Sequence, residues 1–496
     1  MSEPAHATAL YTTAHVRLVD EAAIARLGIA SLELMQRAAS AAFVALRRRW
    51  PDARRIAIHA GNGNNGGDAF LLGRLSREAG LDVVAIALGD SSRSTAAPAR
   101  KAFTDAGGSI RVFESGHDLP SVDLHVDGLF GSGLTRPLEG LPAELVARIN
   151  ASRAPVLALD VPSGLDGDTG CVCGPTVRAD ATIVFIAWKR GLFTADGADV
   201  CGARELATLD IPAAAFDGID ADAHLLDASI ADCLAPRAAN SNKGNFGHVL
   251  VLGGDSGMGG AARIAADAAL RVGAGLVSVA TRSDHIAAFN AARPEIMAHG
   301  VASADDAAAL IERASVLAIG PGLGRDRWGS ALFEAALAAG KPLVIDADAL
   351  NLLAQRPRAL SVPAVLTPHP GEAARLLGTD TASIQRDRFG AVRELAARYA
   401  ASVVLKGAGT LVADADGRVR VCPWGNAGMA SGGMGDLLTG VIAALLAQGL
   451  DATTAAALGV ALHARAGDVA AGDAPRGLVA SDLLAPLRAL ANRFGA

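Results

Sequence analysis

Short apolar runs that stop at a glycine-rich turn and give way to an Ala/Leu-rich helical period recur almost from end to end of this chain. Apolar strands separated by helix-length segments pair in parallel and need helices on both faces of their sheet. The expected class is therefore α/β. Strand candidates in the first half are 56–60, 83–88, 124–127, 156–160 and 182–185, and in the second 249–252, 276–280, 316–319, 343–345, 365–367 and 403–405. Between Ala213 and Asn245 the pattern breaks into Asp/Ala-rich and then Pro/Asn/Lys-containing sequence, which puts a domain boundary near residue 225. Two three-layer αβα domains follow as the expectation, 1–225 and 226–496. The halves share no fixed-period repeat and carry different glycine motifs, as a fusion would.

Composition narrows the function. The 496 residues are 51% apolar and 19% charged, and the formal net charge is -6 with no basic run, so nucleic-acid binding is not expected. Five scattered cysteines, Cys171, Cys173, Cys201, Cys233 and Cys422, lack metal or redox spacing and fit a reducing cytoplasm. The N-terminus has no basic segment followed by an apolar one, and no apolar stretch approaches the ~20 residues of a membrane span, so neither processing nor a membrane partner is expected. Aromatic residues at 4% give no interface patch, which leaves a homo-oligomer open.

In the first half, strand 56–60 runs into Gly61-Asn62-Gly63-Asn64-Asn65-Gly66-Gly67-Asp68 and then a helical stretch. Gly61, Gly63 and Gly66 satisfy G-x-G-x-x-G in the strand-to-helix setting of a Rossmann-like fold, and Asp90 sits where a ribose-binding acid belongs. The asparagines and Asp68 supply amide and carboxylate groups that plain pyrophosphate binding does not need. Parallel strands end on one sheet edge, so Asn65, Asp127, Asp160 and Ser163 should converge there as a hard-oxygen set suited to a monovalent or divalent cation. Taken singly, each acid reads equally well as a loop cap.

In the second half, glycine turns cluster at 243–247, 253–261, 320–324, 367–372, 406–410 and 426–440. The last contains Gly428, Gly432, Gly433 and Gly435 and presents Asp436 where a helical run begins. Such a turn lets backbone N–H groups and a helix dipole face an anion, and a carboxylate placed there fits phosphoryl transfer to a hydroxyl. Its plain alternative is a helix cap. A Walker A pattern is absent, which excludes a P-loop NTPase. His369 between two prolines reads as a rigid turn residue or a ligand contact, Lys406 as a strand end or a phosphate contact. Asp346 and Asp348 default to turn and cap chemistry, Met429 and Met434 to packing.

Taken together, 63–68, Asp127 with 131–137, and 160–164 resemble in order and spacing the signature set of the NAD(P)H-hydrate epimerase family, across about residues 10 to 215. The resemblance implies that Asn64, Asn65, Gly66, Gly67 and Asp68, with Gly131, Ser132, Gly133, Leu134, Thr135, Arg136 and Pro137, hold the hydrated dinucleotide. It places Asp160 beside the reacting ring and potassium at Asn65, Asp127 and Ser163. Ala69 departs from the family, which usually has another glycine there. The second half resembles the ribokinase-like superfamily and, more closely, the ADP/ATP-dependent NAD(P)H-hydrate dehydratase over about 230 to 490. That implies an adenine nucleotide at Lys406, Gly407, Ala408, Gly409, Thr410 and Gly435, and the hydrate at Ala261, Gly322, His369 and Asp436. ADP as co-substrate, giving AMP and phosphate, and Mg2+ on its phosphates are implied with it.

The implied function is repair of hydrated NADH and NADPH, NADHX and NADPHX. The front half would interconvert the R and S epimers and the back half would dehydrate the S form. Inverting a hemiaminal carbon needs a proton donor and acceptor, a role for Asp160. Dehydration through phosphorylation makes chemical sense because hydroxide leaves badly and phosphate leaves well; Asp436 is the expected base. The competing expectation is a vitamin-type small-molecule kinase fused to a nucleotide-binding or sensing domain, which would release a stable phosphorylated product.

Overall fold

The computed structural model describes residues 7–89, 94–134, 136–172 and 174–494, and divides into two compact units, Met1–Ala223 and His224–Ala496. Both are αβα in architecture. Thr135 and Asp90, singled out from the sequence, and Cys173 lie outside the described residues.

In the first unit seven parallel strands lie in the order Ser109–Val112, Asp82–Ala87, Arg55–Ala60, Leu124–Gly128, Val156–Leu159, Ala181–Phe185, Ala203–Ala207. The period of two sends alternate side chains to opposite faces. Ile56 and Ile58 join a core with Leu46, Phe70, Leu72 and Phe103, whereas Ala57 joins a second core with Leu145, Val146 and Ile149. Helices Ser31–Arg49, Asn64–Glu78 and Ala97–Asp105 thus cover one face and Gly140–Ala151 the other. The chain lays two strands to one side of Arg55–Ala60 and then returns to its other side with Leu124–Gly128. This is a topological switch point, where α/β sheets open a crevice at the strands' carboxyl ends.

The second unit repeats this logic with its own strands. Met297–Gly300, Leu276–Thr281, His248–Leu252, Val316–Ile319, Leu343–Ile345, Ala364–Leu366 and Ser402–Leu405 run parallel in that order. Antiparallel Leu411–Ala413 and Val419–Val421 extend it, and His224 and Leu225 pair beside Arg420 and Val421. Val249, Val251, Val316, Ala318 and Val344 face a core built on helices Gly259–Val272, Met434–Ala447 and Ala452–Ala471. The alternate residues Leu250, Leu252, Leu317, Ile319 and Ile345 are also fully buried, so the sheet is covered on both faces. The switch point lies between His248–Leu252 and Val316–Ile319.

At both switch points a glycine closes the backbone. A Cβ on Gly61 would lie 1.9 Å from the Leu129 carbonyl oxygen, and one on Gly253 would lie 2.1 Å from that of Pro321. Either overlap would push the two loops apart.

Candidate active sites

In the first unit a cavity of about 690 Å3, within the range of small-molecule sites, opens at the switch point. Its floor is the N-terminus of Asn64–Glu78, whose N-cap Gly63 makes no side-chain capping bond, so the first-turn N–H groups are left for a ligand. Of the residues the sequence singles out, Asn64, Asn65, Asp68, Gly131, Ser132, Gly133, Leu134, Arg136 and Asp160 line the cavity. Gly66 and Gly67 do not; a Cβ on Gly66 would meet Gly61 O at 2.0 Å and one on Gly67 would meet Met35 Sδ at 2.5 Å, so both serve close packing beneath the turn. Pro137 is also off the lining. Ala69 is accommodated by Gly128, on which a Cβ would come within 2.5 Å of the Ala69 methyl.

The four residues expected to converge form two groups. Asp127 is fully buried; its Oδ1 accepts from Ser163 Oγ at 2.7 Å and its Oδ2 from Ser163 N at 2.8 Å. Asn65 Nδ2 donates to Phe130 O at 3.1 Å, and Ser163 Oγ lies 3.0 Å from the same carbonyl. Asn65 Oδ1 is buried without a hydrogen-bond partner. Burial pushes Asp127 up to about 6, against the bonds from Ser163 and Leu129.

Asp160 shares the cavity with Asn65 but has its own hydrogen-bond partners. It falls just past strand Val156–Leu159 rather than inside it, in the left-handed region with φ 65°, a sparsely populated conformation for a non-glycine residue that clusters at functional sites. Its carboxylate accepts from Lys189 Nζ and from Phe185 N. Lys189 is 1% exposed and also donates to Phe185 O at 2.8 Å. Asp68 is raised well above the usual carboxylate range by burial and then by Asp160 and Asp20, with Lys189 opposing. Asp20 is raised by burial, Glu21 and Asp160. One ammonium thus sits among three carboxyl groups at one end of the cavity, and sequence reasoning missed both Lys189 and Asp20. A lysine following a strand carries no motif.

In the second unit a cavity of about 450 Å3 is lined by Ala261, Gly322, His369 and Asp436, which lie far apart in the chain, together with Asp348, Glu372 and Arg375. Helix Met434–Ala447 begins two residues before Asp436, behind Gly433 at φ 87°, again without a side-chain cap. Asp436 is thus a first-turn residue facing the cavity, and burial, then Asp346, with Lys406 opposing, brings it up to about 6.

Behind the cavity wall Lys406 Nζ donates to Asp346 Oδ1 at 2.8 Å and lies 3.8 Å from Glu372 Oε2. Asp346 Oδ2 accepts from Thr439 Oγ1 at 2.8 Å. Burial opposes both charges, yet their pairing wins: Asp346 is held below and Lys406 above its ordinary value. Glu372 has only a longer share of that ammonium, and burial brings it up to about 7. A Cβ on Gly435 would lie 3.1 Å from Lys406 Nζ, so these two residues adjoin. Gly407, Ala408, Gly409 and Thr410 form the turn that follows strand Ser402–Leu405 and do not line the cavity. Buried Arg388 supports that turn by donating to Leu405 O and Lys406 O.

His369 is both turn residue and cavity wall. It caps helix Pro370–Leu377, its Nδ1 accepting from Gly371 N at 3.0 Å while Glu372 Oε2 accepts from His369 N at 2.8 Å.

A family model described as NAD(P)H-hydrate dehydratase matches residues 249–488, and one described as YjeF-related protein N-terminus matches residues 31–191. The chain is 45% identical over 488 residues to a bifunctional NAD(P)H-hydrate repair enzyme Nnr from Coxiella burnetii, covering 98% of this chain and 100% of that one. It is 43% identical over 471 residues to the protein of the same name from Escherichia coli, covering 94% and 90%. Among solved structures, a ribokinase-like superfamily protein from Enterococcus faecalis is 30% identical, covers 54% of this chain and 95% of its own, and superposes with a TM-score of 0.51. Two family models in this order and end-to-end relatives leave one conclusion: the chain belongs to the family of bifunctional NAD(P)H-hydrate repair enzymes.

Proposed function

We propose that the chain repairs hydrated NADH and NADPH at two sites, divided near residue 225. The front unit is an NAD(P)H-hydrate epimerase and the back unit an NAD(P)H-hydrate dehydratase. Its partners are small molecules, the hydrates and an adenine nucleotide. Cys201, Cys233 and Cys422 are free thiols, as a reducing cytoplasm would keep them. Among the described residues no helix is long and apolar enough to cross a membrane.

In the front site Asp160 exchanges the proton needed for hydroxide to leave C6 of the hydrate and return to its other face. Lys189 fixes the orientation of that carboxylate, and the helix N-terminus at Asn64 and Asn65 with the loop 131–137 holds the dinucleotide. Potassium fits beside it: Asn65 Oδ1 is an orphaned buried acceptor, and Asn65, Asp127 and Ser163 supply the hard oxygens such an ion prefers. When bound, the ion would supply positive charge that fixes the loop at Phe130.

In the back site Asp436 takes the proton of the C6 hydroxyl as that oxygen attacks the terminal phosphoryl group of ADP, releasing AMP. The ring nitrogen then expels phosphate. Lys406 with its turn 406–410 and Gly435 contact the nucleotide, while Ala261, Gly322 and His369 contact the hydrate. Mg2+ would be held through nucleotide oxygens and water, since no cluster of three or more His, Cys, Asp or Glu suited to a metal occurs among the described residues.

The observation that carries this reading is the carboxyl of Asp436, held at about 6 at an uncapped helix N-terminus on the wall of the cavity, next to Gly435 and Lys406. A base poised near neutrality beside an anion-binding helix end is what phosphoryl transfer from a hydroxyl requires. The test supplies each hydrate epimer with or without ADP or ATP and follows dihydronicotinamide absorbance. Recovery should need the nucleotide and vanish in a folded Asp436→Asn variant; recovery without a transferable phosphoryl group would overturn it.

A further inference from the structure

Hydration of a dihydronicotinamide adds OH at C6 and H at C5, so dehydration must remove a proton from carbon as well as the hydroxyl. Resting on the phosphoryl-transfer reading above, the sequence of bonds is fixed. Asp436 gains the hydroxyl proton while the C6 oxygen becomes a phosphate ester. The N1 lone pair then forms N1=C6 as the C–O bond breaks and phosphate departs. Finally the C5–H pair becomes C5=C6, the N1=C6 pair returns to nitrogen, and a base gains the C5 proton. Asp436 already carries a proton at that moment, so a second acceptor is needed.

The titratable side chains on the cavity are Asp348, His369, Glu372, Arg375 and Asp436. Arg375 has no lone pair to offer. His369 spends its Nδ1 on Gly371 N–H, so its Nε2 carries the hydrogen. Asp348 is tied to the cavity's rim, accepting from Gly324 N at 3.0 Å and lying 3.8 Å from Arg325. Glu372 remains. It is 5% exposed, anchored through one oxygen by His369 N, and 3.8 Å from an ammonium whose shorter bond goes to Asp346.

We propose that Glu372 is the second base of the dehydratase site, taking the C5 proton from the iminium left when phosphate departs. Its carboxyl, held at about 7 by burial, matches a task near neutrality. Lys406 and His369 hold it in place, and Asp346 keeps the lysine from neutralising it fully.

The consequence is a stoichiometry. Without the C5 base the iminium still forms, and water re-adds at C6 before carbon is deprotonated, so nucleotide is consumed without yielding NADH. The experiment measures AMP and NADH together, from (6S)-NADHX and ADP, in wild type, Glu372→Gln, Glu372→Ala and Asp436→Asn. Wild type should give one AMP per NADH. Both Glu372 variants should slow NADH formation roughly 10²-fold or more, the usual effect of deleting a general base, while the AMP to NADH ratio rises well above one. Acetate should restore NADH formation in Glu372→Ala and bring the ratio back toward one. Asp436→Asn should lose both products together.

If the Glu372 variants lose AMP and NADH in equal measure, or only need more ADP, Glu372 serves the nucleotide through Lys406 and the proposal falls. A ratio that stays at one with an unchanged rate would assign the C5 proton to the departing phosphate, and would overturn it as well. Wild-type recovery of NADH with no AMP at all would instead sink the phosphoryl-transfer reading, a different result from either.

Discussion

Lys189, 1% exposed, donates to the carboxylate of Asp160, which the backbone holds in the left-handed region on the lining of the same cavity. Breaking a buried pair by removing one partner strands the other charge, at about 3–5 kcal/mol. Lys189→Met should therefore destabilise the first unit by that order, and adding Asp160→Asn should return much of the loss. Both single variants should lose epimerisation while ADP-dependent dehydration of the S hydrate continues. Thermal unfolding with separate assays of the two reactions checks this; a Lys189→Met protein of full stability would show that the pair is exposed to water.

Asp436 must be ionised to accept the hydroxyl proton, and its carboxyl titrates at about 6. Below that pH the protonated fraction grows, so the rate of AMP release, which reports Asp436 and not the C5 base, should fall about tenfold per pH unit, and above it that rate should level off. Asp436→Asn should lower the rate roughly 10²- to 10⁴-fold and abolish this acid limb. A kcat profile from pH 4.5 to 8 at saturating ADP tests it, and an acid limb that persists in the variant would move the role to another group.

Element order and class were legible because they rest on local pattern. Each of the eleven sequence-derived strand candidates falls on a strand of the structure. The strands that escaped are Ser109–Val112, Ala203–Ala207 and Met297–Gly300 on sheet edges, and the two- or three-residue Ala9–Tyr11, Trp188–Lys189, Ala223–Leu225, Leu411–Ala413 and Val419–Val421. Edge strands carry polar, partly exposed residues and so lack the apolar run that betrays a central strand. Glycine turns were equally visible, since a turn's need for glycine is a property of a few consecutive residues.

Side chains that matter only through distant partners were not legible. Asp346 reads as a helix cap in sequence, yet its two oxygens bond Lys406 and Thr439, 60 and 93 residues away. Lys189 reads as surface because lysine is seldom buried unless paired, and its partner Asp160 lies 29 residues earlier on another strand end. Glu372 sits inside a motif noticed for its histidine and prolines; only the cavity shows that it faces the same space as Asp436.

Potassium should stabilise the first unit. Asn65 Oδ1 is buried without a partner, and an ion that binds only the folded state adds RT ln(1 + [L]/Kd), about 2.7 kcal/mol at a hundred times Kd. Raising KCl should lift the unfolding midpoint, NaCl at equal ionic strength should do so less, and Asn65→Ala should erase the difference between the salts. Equal responses to both salts in the native protein would remove the ion from this site.

Two neighbouring glycines separate backbone closure from ligand contact. On Gly61 a methyl would lie 1.9 Å from the Leu129 carbonyl, a backbone atom that cannot swing away, whereas on Gly63 it would meet nothing within 4 Å. Overpacking against a fixed group costs about 3 kcal/mol or more, which in a unit of this size lowers the unfolding midpoint by roughly 6–12 °C. Gly61→Ala should show that shift in the transition of the first unit and lose epimerisation with it. Gly63→Ala should unfold within about 0.5 kcal/mol of wild type, as a substitution into open space does. Gly63 lines the cavity, however, so its methyl occupies ligand space. The expected signature is a raised KM for the hydrate with the fold intact; an unchanged KM would mean that the dinucleotide does not approach the helix N-terminus at this residue.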